Sequence, residues 1–115
     1  MPVDALPLAT PPETGACCLP RRLSPADQAR AAEVAELARV LSDPIRVQIV
    51  ELLPNNSGEV CQCDLQPLFA VSQPTLSHHL RKLDEAALIE VERRGRWAYY
   101  SLRPETLEVL RRWLS

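Results

Sequence analysis

The sequence lacks the features that mark membrane-spanning and secreted proteins. Nowhere do about eighteen apolar residues follow one another, which is the length that a membrane-spanning helix needs. The first residues carry neither a basic cluster nor an unbroken apolar stretch, so they do not match a secretory signal. We therefore expect a cytoplasmic protein without a membrane partner, in which thiols stay reduced.

The chain is also short and poor in aromatic side chains. Its 115 residues include two tryptophans, two tyrosines and one phenylalanine, and no segment repeats another. This length accommodates one compact domain and excludes a large barrel or a doubly wound fold. No combination of nucleophile, base and orienting group is evident in the sequence, so we do not expect an enzyme.

An excess of basic residues, which is usual in nucleic-acid-binding proteins, is missing as well. The formal net charge is -2, from 13 basic and 15 acidic side chains. The charge is unevenly distributed, however, because residues 1–72 carry a net charge of -4 and residues 73–103 a net charge of +2. The acidic total does not exclude DNA binding, since the basic excess falls on one segment that can meet phosphates.

The prolines divide the chain into an arm and a domain. Six of the eleven prolines fall within residues 1–25, so residues 1–23 are interpreted as a flexible, extended arm. Residues 24–115 are interpreted as the folded domain. Within it, Ser24-Pro25 and Asp43-Pro44 each place a capping side chain before a proline, a pattern that starts a helix.

Beyond these two helices, the pattern predicts a helix-turn-helix that is followed by a hairpin. We expect a short helix, a longer helix that Ser72 can cap, two β-like runs around a glycine-containing turn, and a last helix that Pro104 starts. Their approximate bounds are 60–69, 73–87, 88–93, 97–102 and 104–114. This order describes a mainly α protein with a small β-hairpin, a winged helix-turn-helix.

The longer helix of this pair carries a polar face. Leu76, Leu80 and Leu83 share one side at about 100° per residue, so that side is expected to be core. His78 points away from them, whereas His79 lies beside the leucines and is interpreted as a packed histidine. The polar face can read base edges and hold phosphates. With the hairpin tip, the candidate DNA-contacting residues are Gln73, Thr75, Ser77, His78, Arg81, Lys82, Arg94 and Arg96.

A solvated helix face is the alternative interpretation of the same polar residues, and an isolated helix would favour it. The short helix and tight turn before this helix, and the arginine-tipped hairpin after it, favour DNA binding instead.

The four cysteines form two pairs, Cys17-Cys18 in the arm and Cys61-Gln62-Cys63 in the short helix. Neither pair has the Cys-x-x-Cys spacing of zinc ribbons or thioredoxins. Two thiol pairs favour a soft ion, and a redox sensor that forms a disulfide is the alternative.

The spacing of the second pair raises a geometric difficulty. On a regular helix, residues two apart point about 200° away from each other. We therefore expect Cys61 to turn inward at a frayed helix start, and the helix N-terminus to lower the pKa of a nearby thiol.

Four segments of the sequence together resemble one family. They are Asp43-Pro44-Ile45-Arg46, Glu59–Leu65, Ser72–Leu80 and Arg94–Tyr100, and they resemble the ArsR–SmtB family of metal-sensing repressors, in particular its arsenic-responsive branch. The resemblance covers about residues 24–115. It implies a homodimer, with an interface formed by the first and last helices. It also implies that the apo dimer binds double-stranded operator DNA and leaves it when a toxic metal or metalloid binds.

Within this resemblance, the cysteines indicate the inducer. Arsenic-responsive members often carry a third cysteine three residues after the Cys-x-Cys, where this chain has Gln66. The arm cysteines Cys17 and Cys18 are therefore expected to complete the set with Cys61 and Cys63, and which three of the four bind arsenic stays open. We expect arsenic(III) as the inducer, with antimony(III), cadmium(II) and lead(II) as alternatives. Residues 104–115 contain no histidine, so the zinc site that some members carry on the last helix is not expected.

Overall fold

The structure, a computed structural model, describes residues 20–53 and 58–115. Most of the expected arm, including Cys17 and Cys18, lies outside the described residues. The described part contains five α-helices, three strands and one 3₁₀ turn. Their bounds are α1 Pro25–Val40, α2 Pro44–Leu52, β1 Val60–Cys61, α3 Gln62–Leu65, the 3₁₀ turn Gln66–Leu68, α4 Gln73–Glu85, β2 Ile89–Arg94, β3 Trp97–Leu102 and α5 Pro104–Leu114.

The first two helices begin where side chains replace missing backbone partners. The Ser24 hydroxyl accepts a hydrogen bond from the Asp27 backbone N–H at 3.1 Å, and the Asp27 carboxylate accepts one from the Ser24 N–H at 2.9 Å. The hydrogen bond from the Ser24 N–H is the main cause that holds the pKa of Asp27 well below its ordinary value, and the hydrogen bond from the Arg21 guanidinium is the second cause. Asp43 caps α2 by accepting from the Ile45 N–H at 2.8 Å. Both predicted helix starts are confirmed.

The strands form an antiparallel sheet in the order β1-β3-β2. In the hairpin, Gly95 adopts a φ of +62°, which glycine tolerates best. The short edge strand β1 corrects a prediction, because the sequence pattern predicts a helix from about Val60, whereas the helix begins only at Gln62. The reason is a long-range pairing that a local pattern does not contain: Val60 lies opposite Tyr100 in β3, and Cys61 lies opposite Tyr99.

The core gathers around one side of α4. Leu76, Leu80 and Leu83 are at most 1% exposed, as the helical spacing predicts. They pack with residues from α2, α3 and the start of β2, so α4 is held on one side by neighbouring elements. The described residues contain no helix with the length and apolar composition to span a membrane. The winged helix-turn-helix that the sequence predicts is therefore confirmed, with a third strand added to the hairpin.

The core assignment predicts a contrast between two identical substitutions. We expect Leu83→Ala to lower the free energy of unfolding by about 2–5 kcal/mol, because it removes a fully buried side chain and leaves a cavity. Leu68→Ala, at a leucine that is 61% exposed, should change it by less than about 0.5 kcal/mol. Urea unfolding followed by circular dichroism measures both values. Equal losses at the two positions would contradict this description of the core.

Candidate DNA interface and thiol site

The buried leucines of α4 turn its polar side outward. Ser72 caps this helix, since its hydroxyl accepts from the Thr75 N–H at 3.3 Å and donates to the Thr75 hydroxyl oxygen at 2.9 Å. Of the six candidate DNA-contacting residues on α4, Ser77 is half-buried and the other five are exposed. The exposed set is Gln73, Thr75, His78, Arg81 and Lys82.

A groove of about 660 Å³ separates α4 from α3 and the hairpin. It divides the polar side of α4, because Gln73, Ser77 and Arg81 line the groove whereas the other three candidates do not. The hairpin contributes Arg93 and Arg96 to the opposite wall. Arg93 was not among the sequence candidates, although the period of two along β2, which places it on the same face as the groove-lining Val91, is a signal that points to it.

The two hairpin arginines that the sequence singled out differ in their surroundings. Arg94 donates to Glu59 at 2.5 Å and to Glu92 at 2.8 Å, and its guanidinium carbon lies 4.6 Å from the centroid of the Tyr99 ring. The Arg94 guanidinium holds the pKa of Glu92 below its ordinary value. Arg96 lines the groove and forms no ion pair with another residue of the described ranges. The charge of Arg94 is therefore balanced within the chain, whereas no carboxylate of the described residues pairs with Arg96.

His79 joins α4 to α2. His79 is 7% exposed, and its Nδ1 accepts from the Arg46 Nε at 3.1 Å. The same guanidinium donates to the Val40 carbonyl at 3.4 Å, and an Asp43 carboxylate oxygen lies 4.0 Å from the histidine Nδ1. The interpretation of His79 as a packed histidine is confirmed.

The two cysteines of the folded domain occupy different environments. Cys61 is 5% exposed, whereas Cys63 is exposed. Cys61 ends β1 and caps α3, and its sulfur accepts from the Cys63 backbone N–H at 3.3 Å. Because Cys61 has extended backbone angles and lies outside the helix, the separation of about 200° expected on a regular helix does not apply. The expected inward turn of Cys61 is confirmed.

The expectation of a lowered thiol pKa is wrong for Cys63. A side-chain hydrogen bond with Cys61 is the main cause that raises the pKa of Cys63, and desolvation and the negative charges of Cys61 and Asp64 add to it. The neighbouring sulfur therefore outweighs the start of this helix, which has only four residues.

No cluster of three or more metal-ligating side chains occurs within residues 20–53 and 58–115. Within these residues Cys61 and Cys63 offer two sulfur atoms, fewer than the three that the expected arsenic(III) site needs. The ligand set of four cysteines stays a prediction, since Cys17 and Cys18 lie outside the described ranges.

Gln62, between the two cysteines, is a residue that sequence reasoning missed. Its side-chain N–H donates to the Ser77 hydroxyl oxygen at 2.8 Å, and its carbonyl oxygen accepts from the Tyr100 hydroxyl at 3.2 Å. Its partners are 15 and 38 residues away, so no local pattern reveals them. The amide links the cysteine pair to α4 and to β3.

Comparisons with known proteins agree with this fold. The profile of the arsR family of bacterial regulatory proteins matches residues 43–91. An arsenical resistance operon repressor of Staphylococcus xylosus is 41% identical over 78 residues, which is 68% of this chain and 73% of the relative. A cadmium resistance transcriptional regulatory protein, a CadC homolog of Staphylococcus aureus, is 37% identical over 78 residues, covering 68% of this chain and 64% of the relative.

The fold resembles that of solved regulators as well. The crystal structure of NolR from Sinorhizobium fredii superposes with a TM-score of 0.63 at 27% identity, covering 78% of this chain and 89% of that one. The winged helix-turn-helix, the sequence motifs and these relatives lead to one conclusion. The chain belongs to the arsR family of bacterial regulatory proteins and is a DNA-binding transcriptional repressor, not an enzyme.

Proposed function

We propose that the protein is an arsenic-responsive repressor, which binds operator DNA in its apo form and is released when arsenic(III) binds its cysteine thiolates. The observation that carries this proposal is the position of the cysteine pair, at the start of a helix whose first residue hydrogen-bonds to α4. The similarity to an arsenical resistance operon repressor supports arsenic as the inducer.

The proposed DNA contacts follow from the orientation of α4. We propose that this helix enters the major groove, where its polar side chains reach base edges and phosphates. Arg96 and Arg94 of the hairpin would meet the flanking phosphates, with Arg96 the stronger contact because no carboxylate of the described residues balances its charge. The α4 residues in this proposal are Gln73, Thr75, Ser77, His78, Arg81 and Lys82.

Operator binding of this kind needs two copies of α4, one for each half-site. We propose a homodimer whose interface includes α1 and α5. In α5, Trp113 is 56% exposed and Leu114 is 75% exposed, and a hollow of about 350 Å³ lies between α1 and α5. Large apolar side chains grouped in this way are typical of surfaces that another chain covers. Because bacterial operator DNA lies in the cytoplasm, we propose that the dimer acts there.

The proposed inducer fits the chemistry of the thiols. Arsenic(III) is thiophilic, and thiolates are the soft ligands that such ions select. Cys63 is exposed and can take part directly, whereas Cys61 is buried and its sulfur accepts the Cys63 N–H, a bond that we propose is given up when the ligand binds. We propose that Cys17 or Cys18 supplies the third ligand. Antimony(III) fits the same three thiolates, and the cadmium resistance relative supports cadmium(II) or lead(II) with all four as the second candidate.

The contrast between the two hairpin arginines gives a prediction about salt dependence. We expect Arg96→Ala to weaken operator binding and to reduce the slope of log K against log salt by about 2 for the dimer, because one phosphate contact is lost in each half-site. Arg94→Ala should reduce the slope by less, since this guanidinium is already paired with Glu59 and Glu92. Fluorescence anisotropy at several salt concentrations measures both slopes. A larger effect at Arg94 than at Arg96 would contradict the proposed phosphate contact.

The cysteines give a second prediction. We expect arsenite to raise the operator Kd of the parent protein by roughly 5–150-fold, the usual range for coupled sites. Cys63→Ser should abolish this response because it removes a proposed ligand, and it should leave apo operator binding close to that of the parent because Cys63 is exposed and caps no helix. Anisotropy titrations with arsenite, antimonite, cadmium and peroxide check the response.

Each outcome of this titration distinguishes one interpretation. Release of the operator by cadmium at concentrations where arsenite has no effect would contradict arsenic as the inducer and would favour an ion that binds all four thiolates. Release of the operator by peroxide alone would contradict both metal-ion interpretations and would favour a redox sensor that forms a disulfide. Cys17→Ser and Cys18→Ser variants that both respond as the parent does would exclude the arm from the site.

A further inference from the structure

The side chain of Gln62 spans three parts of the fold. It lies between the two cysteines, it is half-buried, and its amide holds Ser77 of α4 on one side and Tyr100 of β3 on the other. Tyr100 is 5% exposed, and its hydroxyl donates to the Gln62 carbonyl oxygen. The two hydrogen bonds of Gln62 therefore connect α3 with both α4 and β3.

The bond to Ser77 is the only hydrogen bond between α3 and α4 side chains in the part of the chain that the structure describes. Ser77 lies on the groove side of α4, and Arg81 follows one turn later on the same side. Because the opposite side of α4 is fixed by buried leucines, a change at Ser77 alters the tilt or rotation of the helix rather than its place in the core.

The same residue is the first to be affected when the cysteine pair changes its conformation. The sulfur of Cys61 now accepts from the Cys63 N–H, and this bond caps a helix of only four residues. A side-chain cap satisfies one of the backbone N–H groups that a helix start leaves without a partner, and α3 has only four residues to hold its first turn. If Cys61 turns its sulfur away from the Cys63 N–H to a shared ligand, the cap is lost, and the first turn of α3, which begins at Gln62, loses this stabilisation.

We propose that Gln62 is the positioning residue that couples the cysteine pair to α4. Its bridge to Ser77 and Tyr100 holds α4 in the orientation that binds the operator, and the bridge opens when Cys61 gives up its cap. This inference rests on the proposed function, because it requires a ligand at the cysteines that weakens DNA binding. The inference adds the residue through which ligand binding at the cysteines changes the orientation of α4.

The test measures coupling rather than affinity alone. We define the coupling ratio as the operator Kd with saturating arsenite divided by the Kd without it. Gln62→Ala should lower this ratio at least about fivefold relative to the parent. It should do so by weakening apo binding towards the loaded level, while the Kd of the loaded protein stays that of the parent. Anisotropy titrations with and without arsenite give both constants.

A second readout does not involve DNA. The bridge opposes the change at the start of α3 that we propose for ligand capture, so Gln62→Ala should bind arsenite at least as tightly as the parent does. The ultraviolet absorbance of arsenic–thiolate bonds follows this titration. By linkage, the operator should also weaken arsenite binding by the same factor as arsenite weakens operator binding, and that factor should shrink in the variant.

Two further variants keep the test decisive. Gln66→Ala removes a glutamine whose amide donates to the Val71 carbonyl at 2.7 Å in the turn before α4, and it should keep the parent ratio. Tyr100→Phe removes one bond of the bridge and retains the ring, so it should lower the ratio partly even if Gln62→Ala fails to fold.

The outcomes separate the two proposals. A parent protein that arsenite does not release from DNA contradicts the proposed function, and the coupling role falls with it. Release of the parent with unchanged ratios in Gln62→Ala and Tyr100→Phe contradicts the coupling role alone. An equally large decrease of the coupling ratio in Gln66→Ala would also contradict the coupling role of Gln62. The decrease would then come from any change between α3 and α4, and not from the two hydrogen bonds of Gln62.

Discussion

Burial of the leucines on α4 is the constraint on which the rest of the structure depends. With Leu76, Leu80 and Leu83 inside, the polar side of the helix has to face outward, and the same packing keeps α3 and the sheet close to it. Loss of this burial would cost more than any polar contact of the site contributes, because buried leucines are worth several kcal/mol each and a hydrogen bond about 1 kcal/mol. The core therefore fixes the position of α4, and polar contacts adjust its orientation.

This difference in energy suits a regulator. A repressor has to lose operator affinity without unfolding, so its signal has to act on contacts that are weak compared with the core. The capping bond of Cys61 and the two bonds of Gln62 have this scale. A change of 1–3 kcal/mol is about the coupling that links two sites in allosteric proteins, and one or two such bonds suffice to supply it.

The sequence predicted the parts of the fold that depend on neighbouring residues. Ser24, Asp43 and Ser72 each act within three residues of themselves, and the leucines of α4 follow the helical period. Strand β1 escaped prediction because Val60 and Cys61 pair with residues nearly forty positions later. The helical pattern includes Val60 and Cys61, but their pairing with β3 makes them a strand.

The candidate site follows the same division. The cysteine pair and the polar side of α4 are visible in the sequence because each is a local pattern. The balanced charge of Arg94 depends on Glu59, which is 35 residues away, and the role of Gln62 depends on Ser77 and Tyr100. The raised pKa of Cys63 likewise arises from the way Cys61 turns at the end of β1, a turn that the strand creates.

In the proposed coupling, a change at the cysteine pair reaches α4 through Gln62. The most direct measurement is the nuclear magnetic resonance spectrum of the DNA-free protein, recorded before and after addition of arsenite. The side-chain amide signals of Gln62 and the backbone amide signal of Ser77 should shift together with that of Cys63. Shifts at the cysteines while Gln62 and Ser77 keep their positions would contradict it.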